Sequence, residues 1–237
     1  MEEENLKTLI IIPAYNEGEA IYDVVNSIKQ ENIQDTTILV INDGSQDNTS
    51  CEARSGGARV IDLPINLGIG GAVQTGYLYA YYNNYDIAIQ FDGDGQHKAK
   101  YLKTIIEEME KSKSDMIIGS RFIEKSNYNP SFFRNAGIKF FSKLISSICR
   151  QNIYDTTSGY RAINKKVIKA FIDYYPKDYP EVETIAYIVK EGCKVREIPV
   201  EMNYREKGKS SITPIKSIYY MIKVTLATII LPKTSCN

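Results

Sequence analysis

The chain has no tryptophan, one histidine (His97) and four cysteines with no CxxC pair among them. Structural zinc, which needs four nitrogen or sulfur ligands at close spacing, is therefore not expected. Cys51, Cys149, Cys193 and Cys236 are scattered, and reduced thiols in a cytoplasmic protein are the simplest reading. The opening residues MEEENLK are acidic and polar, so no secretory signal peptide is expected. Internal repeats and low-complexity segments are also missing. The most apolar stretch, IYYMIKVTLATIILP at 218–232, is 15 residues long and carries Lys223. A span needs about 20 predominantly apolar residues, so this stretch is too short to cross a bilayer.

Net charge is zero, but it is unevenly placed. Residues 1–120 hold 9 Lys+Arg against 19 Asp+Glu, and residues 121–237 hold 20 against 10. A basic second half suits an anionic partner: nucleic acid, a phosphorylated substrate or an anionic membrane. No nucleic-acid recognition motif accompanies it.

With 237 residues and 43% hydrophobic content, the chain can bury a large core unaided. The first half alternates apolar runs with helical patterns. The runs are TLIIIP (8–13), TILVIND (37–43), ARVIDL (58–63), DIAIQFD (86–92) and DMIIGS (115–120). Continuous apolar runs separated by helices imply a parallel sheet covered on both faces. Ligands of such sheets bind beyond the carboxyl ends of the strands. Those ends here read PAYNE, NDGSQD, PINLG, DGDGQ and GSR, a polar set rich in Asp, Asn and Gly.

The sharpest feature is DGDGQ at 92–96. Two carboxylates separated by glycine, at the end of a buried run, suit a hard cation such as Mg²⁺ or Mn²⁺. Glycine lets the backbone turn tightly enough for Asp92, Asp94 and the Gln96 amide to converge on one ion. A plain polar turn is the bland alternative. His97, next to the loop, either touches phosphate or serves a hydrogen-bonded structural role.

At these residues the sequence resembles the family 2 glycosyltransferases of the GT-A fold, and more narrowly the dolichol-phosphate-mannose-synthase type. The matching segments are PAYNE (13–17), VINDGSQDNT (40–49), NLGIGGAVQTG (66–76), DGDGQH (92–97), GSRF (119–122), TSGYRA (157–162) and REKGKSS (205–211), in that order. The resemblance implies a Rossmann-like, mostly parallel α/β sheet flanked by helices, with C-terminal amphipathic helices. Residues 1–211 would form the GT-A domain, divided into a nucleotide-sugar half (1–120) and an acceptor half (121–211). Residues 212–237 would form an amphipathic, membrane-interfacial helix.

The resemblance also assigns residues. Pro13, Tyr15, Glu17 and Asp43 would hold the donor's base and ribose, with Asn66 and Gly68 on the same side. Asp92, Asp94 and Gln96 would ligate the Mg²⁺ or Mn²⁺ that bridges the donor diphosphate, which Arg205 and Lys209 would clamp from the other side. The family usually has two aspartates where this chain has Asn42-Asp43. Arg121, Arg134, Ser158 and Arg161 would face the acceptor, since a guanidinium fork matches phosphate oxygens. Asp155, Arg121 and Asp94 form the candidate catalytic set. A hydroxyl acceptor would need a base. A phosphate acceptor, largely dianionic at neutral pH, would not, and Asp155 would then only position groups. Glu181 and Glu183 are candidates for recognising sugar hydroxyls.

The expected reaction is inverting transfer of one sugar from a nucleotide sugar, UDP favoured over GDP, to a polyprenyl phosphate in the membrane. The rival is a transferase of the same fold extending a glycan or teichoic-type polymer at a hydroxyl. The expected location is peripheral, on the cytoplasmic membrane face, with a small membrane protein or self-association aiding recruitment. The terminal stretch lies at the interface or packs on the domain. A dehydrogenase is a poor reading because GIGGAVQTG does not match GxGxxG. A silent nucleotide-sugar-binding module would have no need of two metal carboxylates.

Overall fold

The computed structural model describes residues 6–123, 132–176 and 180–203, together with 223, 225 and 226. Among these residues, seven strands form one sheet: β1 (Thr8–Ala14), β2 (Thr36–Asn42), β3 (Arg59–Asp62), β4 (Ile87–Gln90), β5 (Met116–Ser120), β6 (Arg161–Asn164) and β7 (Val195–Pro199). Among the described residues, the helices that flank it are α1 (Ile21–Gln30), α2 (Thr49–Ser55), α3 (Gly68–Tyr82), α4 (Leu102–Ser112), α5 (Phe132–Cys149), α6 (Lys165–Asp173) and α7 (Pro180–Lys190). The first five apolar runs of the sequence are β1 to β5. The mostly parallel α/β architecture expected from them is present.

The apolar runs are continuous because both faces of the sheet are covered. Leu9 and Ile11 of β1 join a core with α3, α5, α6 and α7, while Ile10 and Ile12 pack toward α1 and α4. All seven residues of β1 are buried. Each of its large aliphatic side chains contributes about 1.5–3 kcal/mol by leaving water, less the entropy of fixing it.

The strand order is β3-β2-β1-β4-β6-β5-β7. The chain runs outward from β1 through β2 to β3, then returns to place β4 on β1's other side. This reversal opens a crevice between the carboxyl ends of β1, β2 and β4. One strand departs from the parallel pattern. β6 is antiparallel to both β4 and β5, pairing Gln90 with Arg161 and Ile118 with Arg161. Because β6 runs backwards, the loop before it, rather than the loop after it, arrives at the crevice. The segment 155–160 is thus delivered to the same end as DGDGQ.

Helix α3 begins at Gly68, directly after the loop that follows β3. The Asp43 carboxylate accepts from the backbone N–H groups of Leu67 (2.7 Å) and Gly68 (2.9 Å), satisfying donors that a helix start leaves open.

Candidate active site

The crevice is a cleft of about 520 Å³ lined by residues from six segments of the chain. Pro13, Tyr15 and Glu17 come from the end of β1, and Asp43 follows β2. Asn66 and Gly68 open α3, and Asp92, Gly93 and Asp94 follow β4. Thr157 and Gly159 precede β6, and Glu181 opens α7. Eight sequence-assigned donor or metal residues, Pro13, Tyr15, Glu17, Asp43, Asn66, Gly68, Asp92 and Asp94, thus share one cavity. Tyr15 is 49% exposed, leaving an aromatic face open at the rim. Asp43 is buried, and its two oxygens already hold α3. It shapes the Asn66–Gly68 loop as well as lining the cleft. Asn42, which stands where the family has an aspartate, donates to Asp62 (2.8 Å) and ties β2 to β3.

The acidic loop is held from several sides. His97 is buried, stacked on Tyr160 at 4.7 Å and edge-on to Phe91. The Asp92 N–H donates to His97 Nδ1 (2.9 Å), so a neutral ring carries its proton on Nε2, 3.3 Å from the Asp92 carboxylate. Burial lowers the His97 pKa, and Asp92 and Asp94 pull it the other way. Of the two roles open to His97, the structure places it in the hydrogen-bonded one. Asp94 accepts from the Gln96 N–H (3.0 Å), and Gly95 turns at φ +76°. Gln96 does not line the cleft; its backbone, rather than its amide, takes part in the bonds around the loop.

The space beside Asp92 is kept by Gly159. A Cβ there would lie 3.0 Å from Asp92 Oδ1 and 3.0 Å from Gln90 Nε2. Among the described residues, no group of three or more His, Cys, Asp or Glu is arranged to hold a metal. Two hard carboxylates in an open cleft, and no protein cage, suit an Mg²⁺ or Mn²⁺ that takes its other ligands from substrate phosphate and water.

The residues expected on the acceptor side are arranged differently from those expected to hold the donor. Arg121 and Asp155 form a buried fork-to-fork pair, Nε to Oδ2 2.7 Å and Nη2 to Oδ1 2.7 Å. Arg121 Nη2 also donates to Thr157 Oγ1 (2.8 Å). Asp155 is 0% exposed, and Glu197 of β7 receives the backbone N–H groups of Tyr154 and Asp155, both at 2.7 Å. Burial pushes the Glu197 pKa up, with these N–H bonds opposing. Ser158 is buried and donates to the Gly119 carbonyl (2.7 Å). Arg161 is buried beneath the same loop and donates to the carbonyls of Ser158 (2.7 Å) and Thr156 (3.0 Å) and to Thr184 (2.9 Å). None of Asp155, Arg121, Ser158 or Arg161 lines the cleft. They brace the loop that presents Thr157 and Gly159.

Glu181 and Glu183 part company, two positions apart on α7. Glu181 is half-buried in the cleft wall. Burial raises its pKa, Arg161 works against this, and Asp92 adds to it. Glu183 accepts from the Tyr174 hydroxyl on the core side. The Arg134 side chain, Arg205 and Lys209 lie outside the described residues, as does nearly all of 212–237. Sequence reading missed Gln90, Gly159 and Glu197. Gly159 alone carried a signal, a glycine inside TSGYR.

Residues 9–171 match the profile of Glycosyl transferase family 2. A UDP-N-acetylglucosamine–dolichyl-phosphate N-acetylglucosaminyltransferase of Methanococcus voltae is 27% identical over 93% of this chain and 97% of its own length. A polyprenol monophosphomannose synthase of Mycolicibacterium smegmatis is 26% identical over 92% and 85%. Among solved structures, glucosyl-3-phosphoglycerate synthase of Mycobacterium tuberculosis, in complex with Mn²⁺, UDP and phosphoglyceric acid, shares the fold. It superposes with a TM-score of 0.71 at 16% identity, covering 97% of this chain and 80% of its own. The profile spans well over half the chain and takes in every described wall of the cleft except Glu181: this protein belongs to glycosyl transferase family 2 and is a glycosyltransferase.

Proposed function

We propose that this enzyme transfers one sugar, with inversion, from a nucleotide sugar to a polyprenyl phosphate, giving a lipid-linked monosaccharide for cell-envelope glycan synthesis. The observation that carries the reading is that two of the three carboxylates considered for the acceptor side, Asp155 and Glu183, are already engaged, which leaves Glu181 of the cleft wall as the one a hydroxyl acceptor would recruit as base. Asp155 is closed off by Arg121, and Glu183 by Tyr174. A phosphate acceptor needs neither, because its oxyanion is already the nucleophile. The two relatives act on lipid phosphates with different sugars, which supports the acceptor class and leaves the sugar to local contacts.

Pro13, Tyr15, Glu17 and Asp43 would cover the nucleoside, with UDP favoured. Asp92 and Asp94 would hold Mg²⁺ or Mn²⁺ against the donor diphosphate, where the cation offsets charge on the departing nucleoside diphosphate. The acceptor oxygen forms its bond to the anomeric carbon as the bond to the donor phosphate breaks, the electron pair leaving with the diphosphate. Thr157 and Gly159 border the reacting region, with Arg121 and Asp155 fixing their loop. The described residues contain no helix long and apolar enough to cross a membrane. Helix α5 holds no acidic residue and exposes Lys139, Phe140 and Lys143, with Arg150 just beyond. Such a face suits peripheral contact with anionic lipid on the cytoplasmic side.

The test incubates the purified chain with short-chain polyprenyl phosphate, UDP- and GDP-sugars and either cation, and reads products by mass spectrometry. A monophosphate-linked glycolipid, lost with EDTA and with Asp94→Ala, is the expected result. Transfer only to a hydroxyl acceptor, dependent on Glu181, would replace this reading.

A further inference from the structure

The acidic loop is clasped by a segment more than a hundred residues downstream. After β7 the chain crosses the loop: Met202 forms a β-bridge with His97, and the Asn203 N–H donates to the Gln96 carbonyl (2.8 Å). The Asn203 side-chain amide reaches back to the Gly95 carbonyl (3.1 Å). Just before them, Glu201 accepts from Lys98 (2.8 Å) and Lys100 (3.3 Å) beyond the loop.

These contacts fall where the loop turns at Gly95. Gly95 is in the left-handed region, and glycine there leaves the turn many alternative conformations. The Gln96 N–H that orients Asp94 belongs to the peptide whose carbonyl is Gly95's, the group Asn203 holds. Any rotation of that peptide would break both bonds together. An asparagine suits the task because its amide donates to a carbonyl with no charge.

We infer that Asn203 is a positioning residue for the cation site, fixing the Gly95–Gln96 peptide so that the Asp94 carboxylate is preset toward the cleft. The inference rests on the metal-dependent reading above. Glu201 is a lesser anchor: its ion pairs are exposed, and such pairs contribute little.

The full chain is titrated with Mn²⁺ in the presence of UDP, bound ion being read by electron paramagnetic resonance, for wild type, Asn203→Ala and Glu201→Gln. Asn203→Ala is expected to weaken Mn²⁺ about tenfold, in line with loss of one hydrogen bond to the Gly95 carbonyl and of preorganisation. Its melting temperature is expected to stay at the wild-type value, and its KM for Mn²⁺ to rise while KM for the acceptor does not. Glu201→Gln should bind Mn²⁺ as wild type does. Unchanged Mn²⁺ affinity in Asn203→Ala, or weakening matched by a fall in melting temperature, overturns the positioning role. A wild-type chain that gives no bound Mn²⁺ overturns the metal reading itself, a result distinct from either.

Discussion

Arg121 at the end of β5 and Asp155 in the loop before β6 meet in a two-bond fork inside the protein, 34 residues apart in sequence, with a third bond from the Arg121 backbone (3.1 Å). The pair ties the end of β5 to the loop that leads into β6, two strands separated in the chain by helix α5. It sets the height of the loop that carries Thr157 and Gly159 into the cleft.

Replacing Asp155 therefore tests structure and chemistry at once. Asp155→Ala leaves a buried guanidinium without its carboxylate and is expected to cost about 3–5 kcal/mol of stability. Urea denaturation measures it. A variant as stable as wild type but without turnover would return Asp155 to the role of base. Arg121→Lys should also lose stability, since an ammonium cannot make the parallel pair.

Gly159→Ala puts a methyl 3.0 Å from Asp92's carboxylate. The neighbours must yield by a few tenths of an ångström, so kcat/KM is expected to fall about tenfold with stability changed by less than about 1 kcal/mol. Steady-state kinetics beside a thermal melt separates the two effects. Full activity in this variant would mean the carboxylate does not need that space.

Glu181 and Glu183 should give opposite phenotypes. Glu183→Gln weakens a bond to Tyr174 and is expected to lower stability by about 1 kcal/mol with little change in donor KM. Glu181→Gln should change donor kinetics. Its folded pKa is raised, so the native state holds its proton to higher pH than the unfolded chain does. Stability then falls as pH rises from the ordinary carboxylate range through that raised pKa. In metal-free buffer, Glu181→Gln should accordingly be somewhat more stable than wild type at pH 7 and equal to it near pH 4. Denaturation at the two pH values decides the sign.

Helix α5 supplies the membrane test. Reversing Lys139 and Lys143 to Glu removes about 1 kcal/mol of attraction per lysine near an anionic surface and adds repulsion. Co-sedimentation with phosphatidylglycerol vesicles should fall about thirtyfold or more, while transfer to a short water-soluble acceptor is retained. Equal sedimentation would move the membrane contact elsewhere.

Much of the fold was legible because its strands are local statements. TLIIIP and DIAIQFD are apolar without alternation, which only a strand covered on both faces tolerates, and DGDGQ announces itself through residue type and spacing. That Tyr15, Asp43, Asp92 and Asp94 would meet in one cleft was legible too, because they sit just past strands whose ends a parallel sheet gathers at one edge.

The acceptor side was decided by tertiary structure. Nothing in DTTSGYR says that β6 will run antiparallel between β4 and β5, yet that reversal sets which of its side chains meet the cleft. It turns Arg121, Asp155, Ser158 and Arg161 inward as a buried brace and leaves Thr157 and Gly159 at the surface of the cleft. The same holds for Glu181 and Glu183, separated by the helical turn that faces one toward the cleft and the other toward the core. A side chain's type is written in the sequence, but its partner depends on which distant strand lies beside it, and pairing between distant strands leaves no local pattern to read.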